Sequence, residues 1–355
     1  MKARTFCQTL TATCVTAAML AMSAHSSAAT EGWKSFKLYG YNGDARSETS
    51  FDAIAKPQKK YKLCAMIPHL KDSYWVAVDY GLTQEAKRLG ASINIYEAGG
   101  YDNLPKQISQ FDDCLASNPD AILVAPISES GLGPKMMQAM KKGIPVISFV
   151  NPVVDTPITS KIFVNFSDKG YMTGQYLKTL LGPKGGLVGV FPGPQGSGWA
   201  EGFLEGFNKA IANSNVKSTN PKFGDAGLSI QTRLVEDTIQ SNPGLTAIWG
   251  TATAAEGAVG AIAEAGMPKT IIVGHSEDQA VLKYLAQKKI AAAGIEYPVM
   301  QARVAVDLAV KALQKQPVLA HYAVIPFVLT PQNITTIDMT QEAAPDGFQP
   351  VFSVN

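Results

Sequence analysis

The regular alternation of short apolar segments with amphipathic stretches, from residue 62 onward, limits most strongly what this chain can fold into. Strands are predicted near 62–67, 91–96, 120–125, 143–149, 161–166, 185–191, 216–222, 246–250, 270–274, 290–295 and 323–328. Helix-period patterns lie between most of them, for example at 74–89, 102–117, 198–213 and 299–315. Such alternation predicts parallel sheets with helices on both faces, joined by right-handed crossovers.

The number of these units predicts more than one sheet. About ten strand–helix units exceed what one compact sheet accommodates, and 355 residues suffice for two hydrophobic cores. The breaks Asn118-Pro119-Asp120 and Asn242-Pro243-Gly244 each precede an apolar strand, which indicates two lobes of like construction. We therefore expect an α/β protein with two doubly wound parallel-sheet lobes.

The first residues have the layout of an export signal. Lys2 and Arg4 precede an apolar run, and small residues follow as far as Ala29, so we predict a secretory signal peptide over 1–29. Cys14 does not follow a leucine-led lipobox, and no later stretch reaches the ~20 apolar residues that a membrane-spanning helix needs. We expect a soluble exported product without a lipid anchor or membrane insertion.

Charge and cysteine content narrow the function further. Without Lys2 and Arg4, 29 of the 31 basic side chains remain against 29 acidic ones, a balance that disfavours nucleic-acid binding. Of the cysteines, Cys64 and Cys114 remain after signal removal. In an oxidising compartment they either form one disulfide or stay two buried thiols. No clustered Cys/His spacing predicts a metal site.

Residues 30–60 differ in character from the rest of the chain. Trp33, Phe36, Tyr39 and Tyr41 occur among glycine, polar and charged residues without a clear period. We interpret this segment as an N-terminal extended arm that either packs along a lobe or reaches a partner.

The stretch from Lys62 to Gly81 is the first candidate binding element, because it predicts a strand, a turn and a helix. The turn lies at the carboxyl end of the strand, where open α/β sheets bind ligands, and it carries Asp72, Tyr74 and Trp75. Two aromatic rings beside a carboxylate suit a small cation. The alternative is that Asp72 only caps the helix while the rings pack on the surface of the lobe.

The second candidate binding element is a glycine-rich loop that precedes Trp199 and allows the backbone to approach a ligand. Alternatively, Trp199, Phe203 and Phe207 fall four residues apart and form one core stripe. His69 and His275 also follow predicted strands, but neither accompanies a nucleophile motif. We interpret both as structural histidines and predict no enzymatic activity.

Two parallel-sheet lobes, export and loops at strand ends together resemble the type I periplasmic binding proteins of the ribose-binding and LacI-core kind. The resemblance covers about residues 60–340. It implies one lobe from 61–165 plus 297–325, a second lobe and tail from 166–296 plus 326–355, and a three-segment hinge between them. Sugar binders of this superfamily carry charged residues where this chain has Val150-Asn151 and Ser276, which argues against a sugar ligand.

Four further motifs, KLCAMIPHLKDSYW, YEAGGYDNL, GTATAAE and GFQPVF, resemble the TorT-type periplasmic trimethylamine N-oxide binding proteins. This resemblance implies a periplasmic protein without cofactor that binds a small ligand and partners the periplasmic domain of a TorS-like sensor histidine kinase. Delivery of a small solute or sugar to an ABC transporter is the alternative. The candidate ligand-binding residues are Asp72, Tyr74, Trp75, Phe166, Trp199, Ser276 and Glu296.

The chain departs from this family at two positions. Where relatives carry P-W-F-Q-M-G, it has Asn165 to Gly170, and where they carry S-F-Y it has Gly274-His275-Ser276. One aromatic wall is therefore reduced to Phe166 and a second is lost. Trp199 or Tyr297 is expected to close the gap, or else the ligand is a different small solute.

Overall fold

The computed structural model describes residue 33 and residues 35–355. The signal peptide predicted over 1–29, with Cys7 and Cys14, lies outside these residues. Within the described part, every helix is too short or too polar to cross a bilayer.

The strands follow the predicted alternation closely. They are β1 (Phe36–Asn42), β2 (Ala45–Phe51), β3 (Lys62–Ile67), β4 (Ser92–Glu97), β5 (Ala121–Val124), β6 (Val146–Phe149), β7 (Ser160–Val164), β8 (Gly186–Phe191), β9 (Val216–Ser218), β10 (Leu245–Gly250), β11 (Ile271–Gly274), β12 (Ala292–Gly294), β13 (His321–Val324), β14 (Val328–Leu329) and β15 (Ser353–Val354).

Helices fill most of the intervals between them. They are α1 (Ser73–Arg88), α2 (Leu104–Ala116), α3 (Glu129–Lys141), α4 (Phe166–Leu181), α5 (Trp199–Ile211), α6 (Leu228–Ser241), α7 (Ala252–Glu264), α8 (Gln279–Ala286), α9 (Pro298–Leu313) and α10 (Met339–Glu342), with a short 3₁₀ helix at Ile334–Thr336.

The first sheet has the strand order β15-β4-β3-β5-β6-β7-β13-β1-β2. Its central strands, from β4 to β13, run parallel, whereas β15, β1 and β2 add at the two edges in antiparallel fashion. Every residue of β5 and β6 is buried. Runs of consecutive buried residues are typical of parallel strands that are covered on both faces.

The second sheet has the order β14-β12-β11-β10-β8-β9, with only β14 antiparallel to its neighbour. The five parallel strands of this lobe and β3 to β7 of the first share the doubly wound order 2-1-3-4-5. The two Asn-Pro breaks precede β5 and β10, the third strand of each lobe. The predicted fold of two doubly wound lobes is thereby confirmed.

The chain passes between the sheets three times in the hinge: between β7 and α4, between β12 and α9, and between β13 and β14. Helix α9 returns to the first lobe and packs on α1 and on β5 to β7. The single strand predicted over 323–328 is wrong in this respect, because Pro326 lies between two short strands of different sheets. The residue boundaries predicted for the lobes stay a prediction.

Residues 36–51 form a hairpin that extends the first sheet beyond β13. Its two-residue turn has Gly43 at a φ of +60°, as a type II′ turn requires. The side chains of Leu38 and Phe51 are buried, and Trp33 Nε1 donates to Glu85 Oε2 of α1 at 2.8 Å. This part of the N-terminal arm is therefore packed along the first lobe.

The segment after β14 also returns to the first lobe. The ring of Phe348 meets Tyr80 of α1 edge-on at 5.1 Å, and Val351 N donates to Asp79 Oδ2 at 2.8 Å. Strand β15 then pairs with β4, although the sequence places 326–355 with the second lobe and tail. Pairing satisfies backbone groups that the edge strand β4 would otherwise expose.

A disulfide joins β3 to α2 in the first lobe. It links Cys64 and Cys114, whose Cα atoms lie 6.2 Å apart, across a sequence separation of 50 residues. Both side chains are buried in the cluster between the sheet and α2.

Candidate functional site

The loops that follow the first strand of each lobe meet between the lobes. The loop after β3 leads to Asp72 and α1, and the loop after β8 leads to Trp199 and α5. Each loop lies where the strand order of its sheet reverses, between β3 and β5 or between β8 and β10. Open α/β sheets bind ligands at this place.

A cavity of about 70 Å³ lies at this junction. A cavity needs roughly 10–15 Å³ to hold one water, so this space is large enough for a small solute. Six aromatic residues line it: Tyr74, Trp75, Tyr101, Phe166, Trp199 and Phe203. Four acidic residues line it as well: Asp72, Glu277, Asp278 and Glu296.

The aromatic rings come from both lobes and contact one another edge to face. Trp199 meets Tyr101 at a centroid distance of 5.7 Å and Phe203 at 6.2 Å, while Phe203 meets Phe166 at 5.2 Å. Across the cleft, Trp199 Nε1 donates to the Tyr101 hydroxyl at 3.1 Å. The Tyr101 hydroxyl in turn donates to Asn151 Oδ1 at 3.1 Å.

Asp72 is the N-cap of α1, as one reading of the sequence anticipated. Its Oδ1 accepts from Trp75 N at 2.9 Å, and the same side chain lines the cavity. Burial raises the pKa of the Asp72 carboxyl to about 7, against the opposing effect of the Trp75 amide and with smaller contributions from Asp278 and two further acids. Capping and exposure to the cavity are therefore compatible.

A buried ionic cluster closes one side of the cavity. The ammonium of Lys169, only 1% exposed, lies 2.5 Å from Glu296 Oε1 and 3.5 Å from Glu277 Oε2. Glu296 Oε2 accepts from the Tyr74 hydroxyl at 2.7 Å, which ties the first lobe to the cluster. Behind it lies Glu342 of α10, whose carboxyl pKa is raised well above its usual value by burial and by the charge of Glu277.

Glu277 also has a raised pKa. Burial raises it to about 7, while the Lys169 charge lowers it and Glu296 raises it. Within the described part of the chain, Glu277 Oε2 and Glu342 Oε2 have no ordinary hydrogen-bond donor. The two side chains are hydrogen-bonded to each other. Such a bond requires a proton on one of the two carboxyl groups, so the pair carries about one negative charge.

Further contacts across the cleft hold the lobes in a closed arrangement. The Lys71 ammonium lies 2.8 Å from Asp225 Oδ2, and Gln279 N donates to Ser73 Oγ at 3.1 Å. Together with the bonds Trp199 to Tyr101 and Tyr74 to Glu296, they join α1, its preceding loop and the loop after β4 to the second lobe.

All seven residues selected from the sequence line this one cavity: Asp72, Tyr74, Trp75, Phe166, Trp199, Ser276 and Glu296. Sequence reasoning missed Tyr101, Glu277 and Asp278 and assigned Phe203 to a possible core stripe. A usable signal existed for the first three, because Tyr101 follows β4 and the two acids follow β11, both at carboxyl ends of strands.

Of the two residues expected to replace the missing aromatic wall, Trp199 and Tyr297, only Trp199 is placed as expected. Trp199 lines the cavity, whereas Tyr297 is not among the described lining residues. Tyr297 instead caps α9 in the left-handed conformation, with a φ of +55°, and its partly buried side chain packs against the hydrophobic core. Tyr101 and Phe203 supply the additional rings.

The two histidines near the cleft have structural surroundings. Burial lowers the pKa of His69 to about 4 and that of His275 well below its usual value, so both are neutral at pH 7. His275 Nε2 lies 3.2 Å from Pro192 O, which makes this nitrogen the donor. The ring stacks on Phe203 at 4.0 Å and supports that cavity wall.

Comparison with known proteins agrees with this architecture. Residues 64–317 match the family described as periplasmic binding protein domain. The periplasmic protein TorT of Escherichia coli K12 is 33% identical over 297 residues, which cover 84% of this chain and 86% of TorT.

Three solved structures, of two proteins, are similar to this chain over most of their length. A solute-binding protein of an ABC transporter from Bradyrhizobium sp. BTAi1, with bound bis-tris, has 39% identity and a TM-score of 0.77, covering 90% of this chain and 98% of that one. TorT in complex with the TorS sensor domain, solved without ligand and with trimethylamine N-oxide, has 28% identity and a TM-score of 0.73, covering 82% and 100%.

Proposed function

This chain belongs to the periplasmic binding proteins, as a member of the TorT type, and from that premise we propose that it is a periplasmic solute sensor. It binds a small methylated solute, trimethylamine N-oxide or a close relative, in the interlobe cavity. Through closure on that solute it regulates a TorS-type sensor histidine kinase. The proposed role is binding without catalysis and without a cofactor.

The observation that carries this proposal is the composition of the cavity wall. Tyr74 and Trp75 belong to the first lobe, Phe166 and Trp199 to the second, and all four face one space beside carboxylates. Each aromatic face attracts a methylated cationic nitrogen by about 0.5–2 kcal/mol. A solute held by rings from both lobes stabilises the closed arrangement over the open one.

The proposed location in the periplasm has two supports. The relative TorT and the matching family are periplasmic by name, and the Cys64–Cys114 disulfide requires an oxidising compartment to persist.

The proposed partner follows from the TorS complexes of the relative, which exist with and without trimethylamine N-oxide. By analogy, this chain stays bound to its kinase in both states, and the solute changes the geometry of the complex. The kinase responds only if it has different affinity for the open and closed forms.

Isothermal titration of the folded protein with trimethylamine N-oxide tests the ligand. We expect saturable binding that Trp75→Ala weakens at least about tenfold, because one ring face and its packing are lost. The matched control is Tyr80→Ala, a second aromatic of α1 that packs on Phe348 outside the cavity; it should bind like the parent protein. No binding at millimolar concentration, or equal effects of both variants, would contradict the proposal.

A second candidate function is supported by the Bradyrhizobium relative, which is a solute-binding protein of an ABC transporter. This chain then delivers its solute to a permease. A sugar is disfavoured, because Asn151 is already committed: Oδ1 accepts from Tyr101 and Nδ2 donates to Pro126 O at 2.8 Å.

The two functions differ in the membrane protein that the closed form contacts. Co-purification with the separately expressed sensor domain of a TorS-type kinase, compared with capture by a reconstituted permease, distinguishes them. Binding to the kinase domain supports the sensor role, and stimulation of a permease ATPase by the loaded protein supports the transport role.

A further inference from the structure

The wall of the cavity carries an excess of negative charge. Lys169 neutralises Glu296 at 2.5 Å, and Glu277 with Glu342 holds about one negative charge if one proton is shared between them. Asp72 and Asp278 add to this charge when they are ionised. Among the described lining residues there is no lysine or arginine.

Most hydrogen-bond donors on the wall are already used within the protein. The hydroxyl of Tyr74 donates to Glu296 and that of Tyr101 to Asn151. The Trp199 indole donates to Tyr101, and Thr253 Oγ1 donates to Ala226 O at 2.8 Å. A ligand oxygen that needs donors therefore finds few of them here.

Two donors on the wall have no acceptor among the residues that the structure describes. Ser276 Oγ accepts from Ala252 N at 3.2 Å and keeps its own hydrogen. The Trp75 indole nitrogen also has no acceptor among the described residues. These two groups must compete with at least two carboxyl groups, Asp72 and Asp278, for the polar end of any ligand.

We propose that this cavity selects a cationic methylated ammonium group over the neutral N-oxide of the same shape. The proposal rests on the function proposed above and specifies the charge of its ligand. An ammonium ion interacts favourably with ring faces and carboxylates together, whereas the oxide oxygen of an N-oxide is repelled by carboxylate oxygens and finds few donors to offset that repulsion. The preferred solute therefore carries a net positive charge.

Tetramethylammonium and trimethylamine N-oxide form a matched pair of probes, because they have equal numbers of non-hydrogen atoms and differ by a methyl group in place of the oxygen. Isothermal titration at one pH and ionic strength compares them directly, and tert-butanol serves as the uncharged control of similar shape. We expect tetramethylammonium to bind about tenfold more tightly than the N-oxide, and tert-butanol to bind more weakly than either.

The outcomes separate this inference from the function on which it rests. If the N-oxide binds as tightly as tetramethylammonium or more tightly, the charge selection is refuted and the solute-binding function stands. If tert-butanol equals tetramethylammonium, shape decides and the inference again fails. If none of the three binds, the proposed function fails with it.

Asp72→Asn identifies the charge responsible without removing the helix cap, since asparagine caps a helix as well as aspartate does. We expect the variant to bind tetramethylammonium about tenfold more weakly and the N-oxide more tightly than the parent does, because the repelling carboxylate is replaced by an amide that carries donors. Asp338→Asn is the matched control, because Asp338 caps α10 and does not line the cavity. Equal losses for both ligands in Asp72→Asn would contradict the inference.

Discussion

Asp72 combines a structural and a binding position in one side chain. Its carboxyl caps α1 and lines the cavity, and it faces Asp278, Asp225 and Glu256 from three other segments of the chain. Of these, Asp225 is paired with Lys71. Because burial and these neighbours disfavour the ionised form, the Asp72 pKa of about 7 lies well above its ordinary value.

This shift predicts a pH dependence of cation binding. A cation favours the ionised carboxylate, and with a folded pKa of about 7 most Asp72 is protonated at about pH 6 and ionised at about pH 8. Because the neutral side chain is expected to bind about tenfold more weakly, affinity for tetramethylammonium should rise about fivefold over that range, with release of a proton on binding. Titrations in buffers of different ionisation enthalpy measure both quantities.

Two controls accompany that measurement. Asp72→Asn should flatten the profile, and binding of the uncharged tert-butanol should change little with pH. A profile that keeps its slope in Asp72→Asn would assign the titration to another group, with Glu277 the first candidate because its pKa is also about 7.

At the scale of elements, helices α4 and α5 approach each other through glycine. A Cβ on Gly170 would lie 2.1 Å from Phe203 O, and one on Gly206 would lie 1.9 Å from Ser167 O. These distances leave no room for a side chain. The close contact sets the positions of Phe166 and Trp199 at the starts of the two helices.

Gly206→Ala should therefore disturb both the fold and the site. Overpacking costs about 1–3 kcal/mol, partly offset by up to about 1 kcal/mol of helix propensity, and displaced rings should weaken ligand binding. Chemical denaturation and titration measure the two effects. Gly260→Ala in α7 is the matched control: nothing lies within 4 Å of its added Cβ, so it should stabilise the protein slightly. Equal stability of the two variants would contradict the close-packing argument.

The elements that local pattern determines were predictable, and those that long-range pairing determines were not. Alternation and the Asn-Pro breaks predicted the parallel strands of both lobes. The hairpin over Phe36–Phe51 and the strand Ser353–Val354 show no distinctive hydrophobic period in the sequence. Each is stabilised by pairing with a strand that is distant in sequence, which a local pattern does not reveal. Strand ends likewise indicated Asp72 and Tyr74 and offered the same signal for Tyr101, whereas Phe203 lies within α5 and reaches the cavity only through helix packing.

At the scale of the whole molecule, closure depends on few contacts. Lys71 forms an ion pair with Asp225, whose side chain is only 3% exposed. Because the carboxylate is buried, salt weakens the attraction between the two charges less than it would at the surface. Asp225→Asn should favour the open arrangement and weaken ligand binding about threefold to tenfold, with no lining residue changed.

Small-angle scattering should then give a larger radius of gyration for ligand-free Asp225→Asn than for the parent, and saturating ligand should remove the difference. Asp112→Asn is the control, because the ion pair of Asp112 with Lys135 lies within the first lobe. An unchanged radius and an unchanged affinity would show that this pair does not hold the lobes together.

The return of the chain from β14 to β15 adds a fourth covalent tie between the lobes beside the three hinge passages. Glu342 anchors it in the cluster of Lys169 and Glu277, and Phe348 anchors it on α1. This additional covalent connection limits how far the two lobes can separate about the hinge. We therefore expect opening to be a small rotation, and under the proposed sensor role the kinase detects a small change in the angle between the lobes rather than a wide opening and closing.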